Sequence, residues 1–312
     1  MPDQKDKSLD LIAFMDETGH SDDPNFHFAG MAGFAGPAEL WDWMREYWQT
    51  VLKMFDLKEP FHMKDFAHSQ GQFKDWKGQE EKRKELYGHL VTGIVAVKPI
   101  PFGVIISVED FRSLSPRQQV MLRDPYYIAF QRCTRGVAHL GMHVEPPDKV
   151  AMVYSYNKEF GATKPKEVYS ADQAGIAEKL WHWMKESWDF GRGMGSYSSS
   201  TPGETVQLQA ADLFAYELSK EFENLLTRPE DDMRWGLRQI LSGADFPHAM
   251  ISLMDRLELL RIIKESNMRF QEGTEEIPDT EAQTDSARER MIRWLRNRGC
   301  LLDDEGPVDS NS

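Results

Sequence analysis

The sequence predicts an α/β fold, a mixed sheet flanked by helices on both faces. Three observations predict it. The run LDLIAFMDET at 9–18 is apolar on both sides of an extended chain. Strand-like and helix-like periodicities mix along the chain as far as about residue 228. Carboxylates fall at the ends of strand-like runs, where open α/β sheets bind their ligands.

The elements follow in order. In the first strand Ile12 and Phe14 share one side with Asp16, while Leu11, Ala13 and Met15 share the other, so both faces are expected to be buried. FHFAGMAGFAG (26–36) reads as a second strand, with glycines where it bends. Over 38–55, Trp41, Met44, Trp48, Leu52 and Phe55 recur at spacings of three and four, which makes one apolar helix face. Pro60 interrupts, and FHMKDFAHS follows. Residues 79–97 read as a long helix, PFGVIISVEDF (101–111) as a third strand, and 117–141 as a helix. KVAMVYSYN (149–157) is a fourth strand, 170–189 a helix carrying Leu180, Trp181, Met184 and Trp188, and MGSYSSS (194–200) a short strand. TVQLQAADLFAYELSKEFENLL (205–226) is a helix. A sheet domain over 1–228 is expected to be followed by a helical C-terminal extension over 229–270 and an acidic flexible linker over 271–286. A short helix and tail over 287–312 complete the chain, with Ser286 as N-cap and Gly299 as stop signal.

Composition narrows the function classes. The chain has 312 residues with 40% hydrophobic and 28% charged content, enough for a folded core. No apolar run approaches the roughly 18 residues of a membrane helix, and MPDQKDKSLD lacks a signal-like apolar stretch, so no membrane partner is expected. Cys133 and Cys300 lie too far apart in sequence for a disulfide framework or zinc ribbon, and a reducing, cytoplasmic setting is the natural reading. The net charge of −14 argues against coating nucleic acid through a broad basic surface. It is compatible with a nuclease, because a carboxylate-lined metal site is itself negative.

Two carboxylates stand out. Asp16, followed by Glu17, closes the first strand on an apolar face, where an ionised group is unfavourable unless paired or bound to metal. The alternative is a strand end turning into a polar loop, with Asp16 capping the turn at Thr18-Gly19. Asp212 sits two turns into a helix among Leu208, Ala211, Ala215 and Tyr216, and aspartate is a poor interior helix residue. Ala210, Ala211 and Ala215 let that face approach a sheet closely, and a structural ion pair is the alternative. Gln209, three residues earlier, is expected to hold the carboxylate or a water. His62 and Asp65 share a helix face at i and i+3; a zinc site adding His68 is the weaker option, since no cysteine or second histidine pair supports it. Trp41, Trp48, Trp181 and Trp188 read as core rather than base-stacking platforms, Glu109-Asp110 as a solvated turn, and the arginines of 287–299 as the polar face of a docking helix.

MDETG, FHMKDF, VYSYNKEF and LQAADLFAYEL together, in this order and spacing, resemble the bacterial domain-of-unknown-function 3800 family over about residues 9–226. The resemblance implies a ribonuclease H-like fold. It matches Asp16 and Glu17 to the family's first-strand acidic pair, with Thr18 for the usual serine, His62 and Asp65 to its His-x-x-Asp element, and Asp212, preceded by Gln209, to its helix carboxylate. The sequence departs from the pattern at Ser155, where the family carries an aspartate; the following Glu-Phe survives as Glu159-Phe160.

The expectation is therefore a nuclease or phosphodiesterase that acts on nucleic acid and depends on Mg²⁺ or Mn²⁺ held by Asp16, Asp65 and Asp212, with Glu17 beside them. Histidine ordinarily titrates near neutrality, so His62 is the expected proton carrier. Ser155, Glu159 and Gln209 are the supporting residues. The alternative is a catalytically inactive ribonuclease H-like module that binds or regulates, its activity lost with the serine.

Overall fold

A computed structural model of the chain describes residues 10–19, 27–145, 147–156, 175–228, 231–243 and 250–270. Glu159, the linker over 271–286 and the short helix and tail over 287–312 lie outside the described residues.

The two-sided apolar run forms the centre of a six-stranded mixed sheet. Its strands are β1 (Leu11–Thr18), β2 (Phe28–Pro37), β3 (Ile100–Ser107), β4 (Val150–Ser155), β5 (Met194–Ser200) and β6 (Met250–Met254), in the spatial order β5-β4-β1-β2-β3-β6. Only β2 runs against both of its neighbours; β1–β4, β4–β5 and β3–β6 are parallel pairs.

The side-chain alternation of β1 splits the interior into two cores. Phe14, with Ile12 beside it, packs on the face covered by α1 (Ala38–Met54), α3 (Glu80–Val97), α8 (Gln207–Thr227) and α9 (Trp235–Gly243). Leu11, Ala13 and Met15 pack on the other face, against α6 (Pro125–His143), α7 (Ile176–Ser187) and α10 (Arg256–Phe270). The tryptophans expected in the core serve there: Trp41 and Trp48 in the first, Trp181 in the second, with Trp188 packed against it. Trp41 also donates its indole N–H to the Ile12 and Gly36 carbonyls at 3.1 Å each, which staples α1 to the strand pair it follows. Three short helices, α2 (Met63–His68), α4 (Val108–Arg112) and α5 (Pro116–Leu122), and two 3₁₀ helices, Gly71–Trp76 and Asp189–Gly193, complete the described elements.

Small residues let α8 lie close on the sheet. Ala210, Ala211 and Ala215 are fully buried, and a Cβ added at Gly103 of β3 would come within 2.7 Å of the Leu218 side chain.

Three expectations need correction. The extension over 229–270 is not purely helical, because MISLM forms β6 and pairs with β3 from Phe102 to Ile106. A five-residue apolar run carries no period that separates a strand from a buried helical turn. Its neighbours share both cores: Leu237 and Ile240 join the first, Leu259 and Ile263 the second. The third strand stops at Ser107, whose hydroxyl accepts the Asp110 N–H and starts α4, so Glu109 and Asp110 lie in a short helix. The helix over 117–141 is two helices, α5 and α6, since Asp124 caps Pro125 as the first residue of a new one. Among the described residues no helix is long and apolar enough to cross a membrane.

Candidate active site

Asp16 sits at the carboxyl end of β1, opposite Ala32 of β2, on the face that α8 covers. On its other side the parallel register pairs Met15 with Tyr154, so Ser155, the next residue of β4, stands beside Asp16. Both side chains are buried. Asp16 Oδ1 accepts the Glu17 N–H at 2.9 Å, and the Ser155 hydroxyl also bonds to the carboxylate. Burial pushes the Asp16 carboxyl well above the ordinary aspartate range, and the charges of Glu17 and Asp212 push it further; the two hydrogen bonds pull it back only in part.

Asp212 comes to the same place from α8. Its Oδ2 accepts the Met63 N–H at 2.6 Å, and its Oδ1 lies 3.9 Å from His62 Nε2. Burial raises this carboxyl too, with a smaller upward push from Asp65, against the lowering influence of His62 and the Met63 N–H. Met63 opens α2, and its N–H is one of the donors that a helix start leaves without an intrahelical partner. A carboxylate from a distant helix satisfies it.

His62 precedes α2 in extended backbone, with φ −132° and ψ 118°. Its ring is about half-exposed, and its Nδ1 lies 3.6 Å from Asp65 Oδ2. The imidazole thus has a carboxylate near each nitrogen, Asp65 on one and Asp212 on the other.

The site residues thus fall into two contacting pairs, Asp16 of β1 with Ser155 of β4 and Asp212 of α8 with His62 before α2, near enough for the charge of Asp212 to act on Asp16. Glu17 follows the strand alternation to the opposite side, where its charge acts on Tyr126 of α6 as well as on Asp16. Gln209 differs from expectation: it does not hold Asp212. Its Oε1 accepts the Trp48 indole N–H at 3.0 Å and the Phe61 N–H at 2.9 Å, and its Nε2 donates to the Pro202 carbonyl at 2.8 Å. The i, i+3 spacing puts Gln209 and Asp212 on one face, and the two then clamp alternate N–H groups, Phe61 and Met63, of the same extended segment.

No three His, Cys, Asp or Glu side chains among the described residues form a group that could hold a metal ion. Neither the set Asp16, Asp65, Asp212 nor the zinc option with His68 is thus gathered. What stands out instead is the imbalance of charge: among the described residues no lysine or arginine pairs with Asp16 or Asp212. Elsewhere on α8 the buried Glu217 has a full partner, since Arg234 meets it with two bonds of 2.7 Å and donates its backbone N–H to Glu221 at 2.9 Å. Sequence reasoning passed over that pair and the Met63 N–H. Glu217 carries a readable signal, a charge five residues beyond Asp212 on an apolar helix, whereas the Met63 bond is set by tertiary packing.

Compared with known proteins, the chain matches no family model and no curated protein.

Proposed function

We propose that the chain is a divalent-cation-dependent phosphodiesterase of ribonuclease H-like type that acts on nucleic acid, with Asp16 and Asp212 as the residues that hold the cation. The observation that carries the reading is the pair itself: two buried carboxylates, raised by burial and with Asp212 acting on Asp16, without a lysine or arginine partner among the described residues. Buried charge in that state calls for a proton or a cation. The mixed sheet, with its carboxylates supplied at the end of the central strand and from the helix packed over it, supports the resemblance drawn from the motifs.

The donor chemistry fits. Mg²⁺ and Mn²⁺ prefer carboxylate oxygen, and Mg²⁺ is commonly held by one or two carboxylates with the remaining positions taken by water and substrate phosphate. Two aspartates without a third protein ligand meet that description. Such a cation supplies charge neutralisation at a phosphodiester and acidifies water beside it. The protein's own part is then plain. Asp16 and Asp212 would hold the cation, Ser155 offers a hydroxyl to orient water, and the half-exposed His62 stands beside Asp212 to take or return a proton through Nε2.

Two features favour a second reading, a ribonuclease H-like binding or regulatory module without catalysis. Ser155 supplies no charge where the resembling family has aspartate, and no three-ligand group is gathered among the described residues. A substrate panel separates the two. The purified chain with Mn²⁺ or Mg²⁺ is set against single- and double-stranded DNA, RNA and hybrids, beside Asp16→Asn. Cleavage by wild type and its loss in the variant support the enzyme. Binding without cleavage, unaffected by the metal, supports the module.

A further inference from the structure

We infer that Asp65 is a positioning residue, which sets the orientation and tautomer of the His62 ring, and that it does not ligate a cation. For the identity of the reaction this rests on the proposed phosphodiesterase; for the arrangement it rests on geometry. His62 and Asp65 stand at i and i+3 across the start of α2. Asp65 Oδ2 lies 3.6 Å from Nδ1, while Nε2 lies 3.9 Å from Asp212 Oδ1. A carboxylate only accepts, and a neutral imidazole carries one donor and one acceptor nitrogen. Asp65 is the nearer of the two carboxylates, so the proton is assigned to Nδ1; the lone pair of Nε2 then has to meet a donor such as a water beside Asp212, because the Asp212 carboxylate itself only accepts. Both distances exceed hydrogen-bond length, as is common for catalytic contacts before substrate draws them in.

The backbone after α2 turns back beside the Asp65 carboxylate. The Asp65 carbonyl accepts the Gln70 N–H at 2.8 Å, which folds the chain back after α2. Gly71 then takes φ +54°, and a Cβ there would meet Asp65 Oδ2 at 3.2 Å. The carboxylate thus lies between the His62 ring and a turn that passes directly against it.

The experiment uses the full chain and two readouts. Long-range ¹⁵N–¹H correlation of the histidine rings, without metal and at a pH where His62 is neutral, reports its tautomer. The expected result is a proton on Nδ1 in wild type, a shift toward the Nε2 form in Asp65→Asn, and recovery in Asp65→Glu. Calorimetric titration with Mn²⁺ is expected to show binding retained in Asp65→Asn, while phosphodiester cleavage falls roughly 10–100-fold. Loss of Mn²⁺ binding in Asp65→Asn would make Asp65 a ligand and overturn the inference. An unchanged tautomer with unchanged cleavage would overturn it as well. A wild type that neither binds Mn²⁺ nor cleaves counts against the proposed function, and the tautomer readout still decides the part played by Asp65.

Discussion

Asp212 Oδ2 on α8 accepts the backbone N–H of Met63 at 2.6 Å, across 149 positions of sequence. This one bond ties a candidate cation-holding carboxylate to the segment that carries His62. It makes the helix start and the site a single construction. Asp212→Asn can keep the bond through its amide oxygen, whereas Asp212→Ala leaves a buried donor without a partner. We expect Asp212→Ala to lower stability by about 1–3 kcal/mol and Asp212→Asn by clearly less. Hydrogen exchange at the Met63 amide should quicken in the alanine variant first. Equal melting temperatures for the two variants would count against this role.

Asp16 opposes stability in the unliganded protein. Its carboxyl is raised above the ordinary value of 3.8, so the folded state binds the proton more tightly than the unfolded chain does. The contribution is fully favourable below pH 3.8 and is lost as pH rises through the folded-state value. At neutral pH Asp16→Asn should therefore melt higher than wild type, by about 2–4 °C for each kcal/mol regained in a domain of 150–250 residues. The advantage should vanish in acid. Thermal melts at pH 7 and in the acid range check both halves, and a variant less stable than wild type at pH 7 contradicts them.

Ser155 is the place to restore charge. It stands beside Asp16 at the end of β4, and its partner across β5 is Ser200. Ser155→Asp adds a third carboxylate to a buried pair, so without metal the variant should melt below wild type. With Mn²⁺ the thermal shift should exceed that of wild type, because hard cations gain from each added carboxylate. A variant that Mn²⁺ stabilises no more than wild type would mean that Ser155 does not face the cation.

The Glu217–Arg234 pair should matter for folding and not for the site. Arg234→Met strips a buried carboxylate of its guanidinium partner and should destabilise by about 3 kcal/mol or more, whereas replacing both residues with apolar ones recovers much of the loss. Mn²⁺ affinity of the folded variant should match wild type. A large change in affinity would show that α9 and the site are coupled.

The parts of the fold legible in the sequence are those set by local pattern. The double-faced alternation of β1 announces a central strand, and it puts Asp16 on the same face as Phe14. Asp212 is legible because an aspartate inside a helix, among alanines that pack against a sheet, is unfavourable without a purpose. Other features depend on contacts that no local pattern encodes. MISLM becomes a strand only because the edge of β3 is free to receive it. Gln209 shares a face with Asp212, but which way its longer side chain reaches is decided by Trp48 and Phe61. Asp65 is visible as a neighbour of His62, and its standing on the opposite nitrogen from Asp212 emerges only with α8 in place.

The central claim, that Asp16 and Asp212 together hold a divalent cation, is tested most directly by calorimetric titration of the purified chain with Mn²⁺, beside Asp16→Asn and Asp212→Asn. The account predicts saturable binding to the wild type and loss of that binding in each variant. Wild-type binding that survives both substitutions, or no binding to the wild type at all, would contradict it.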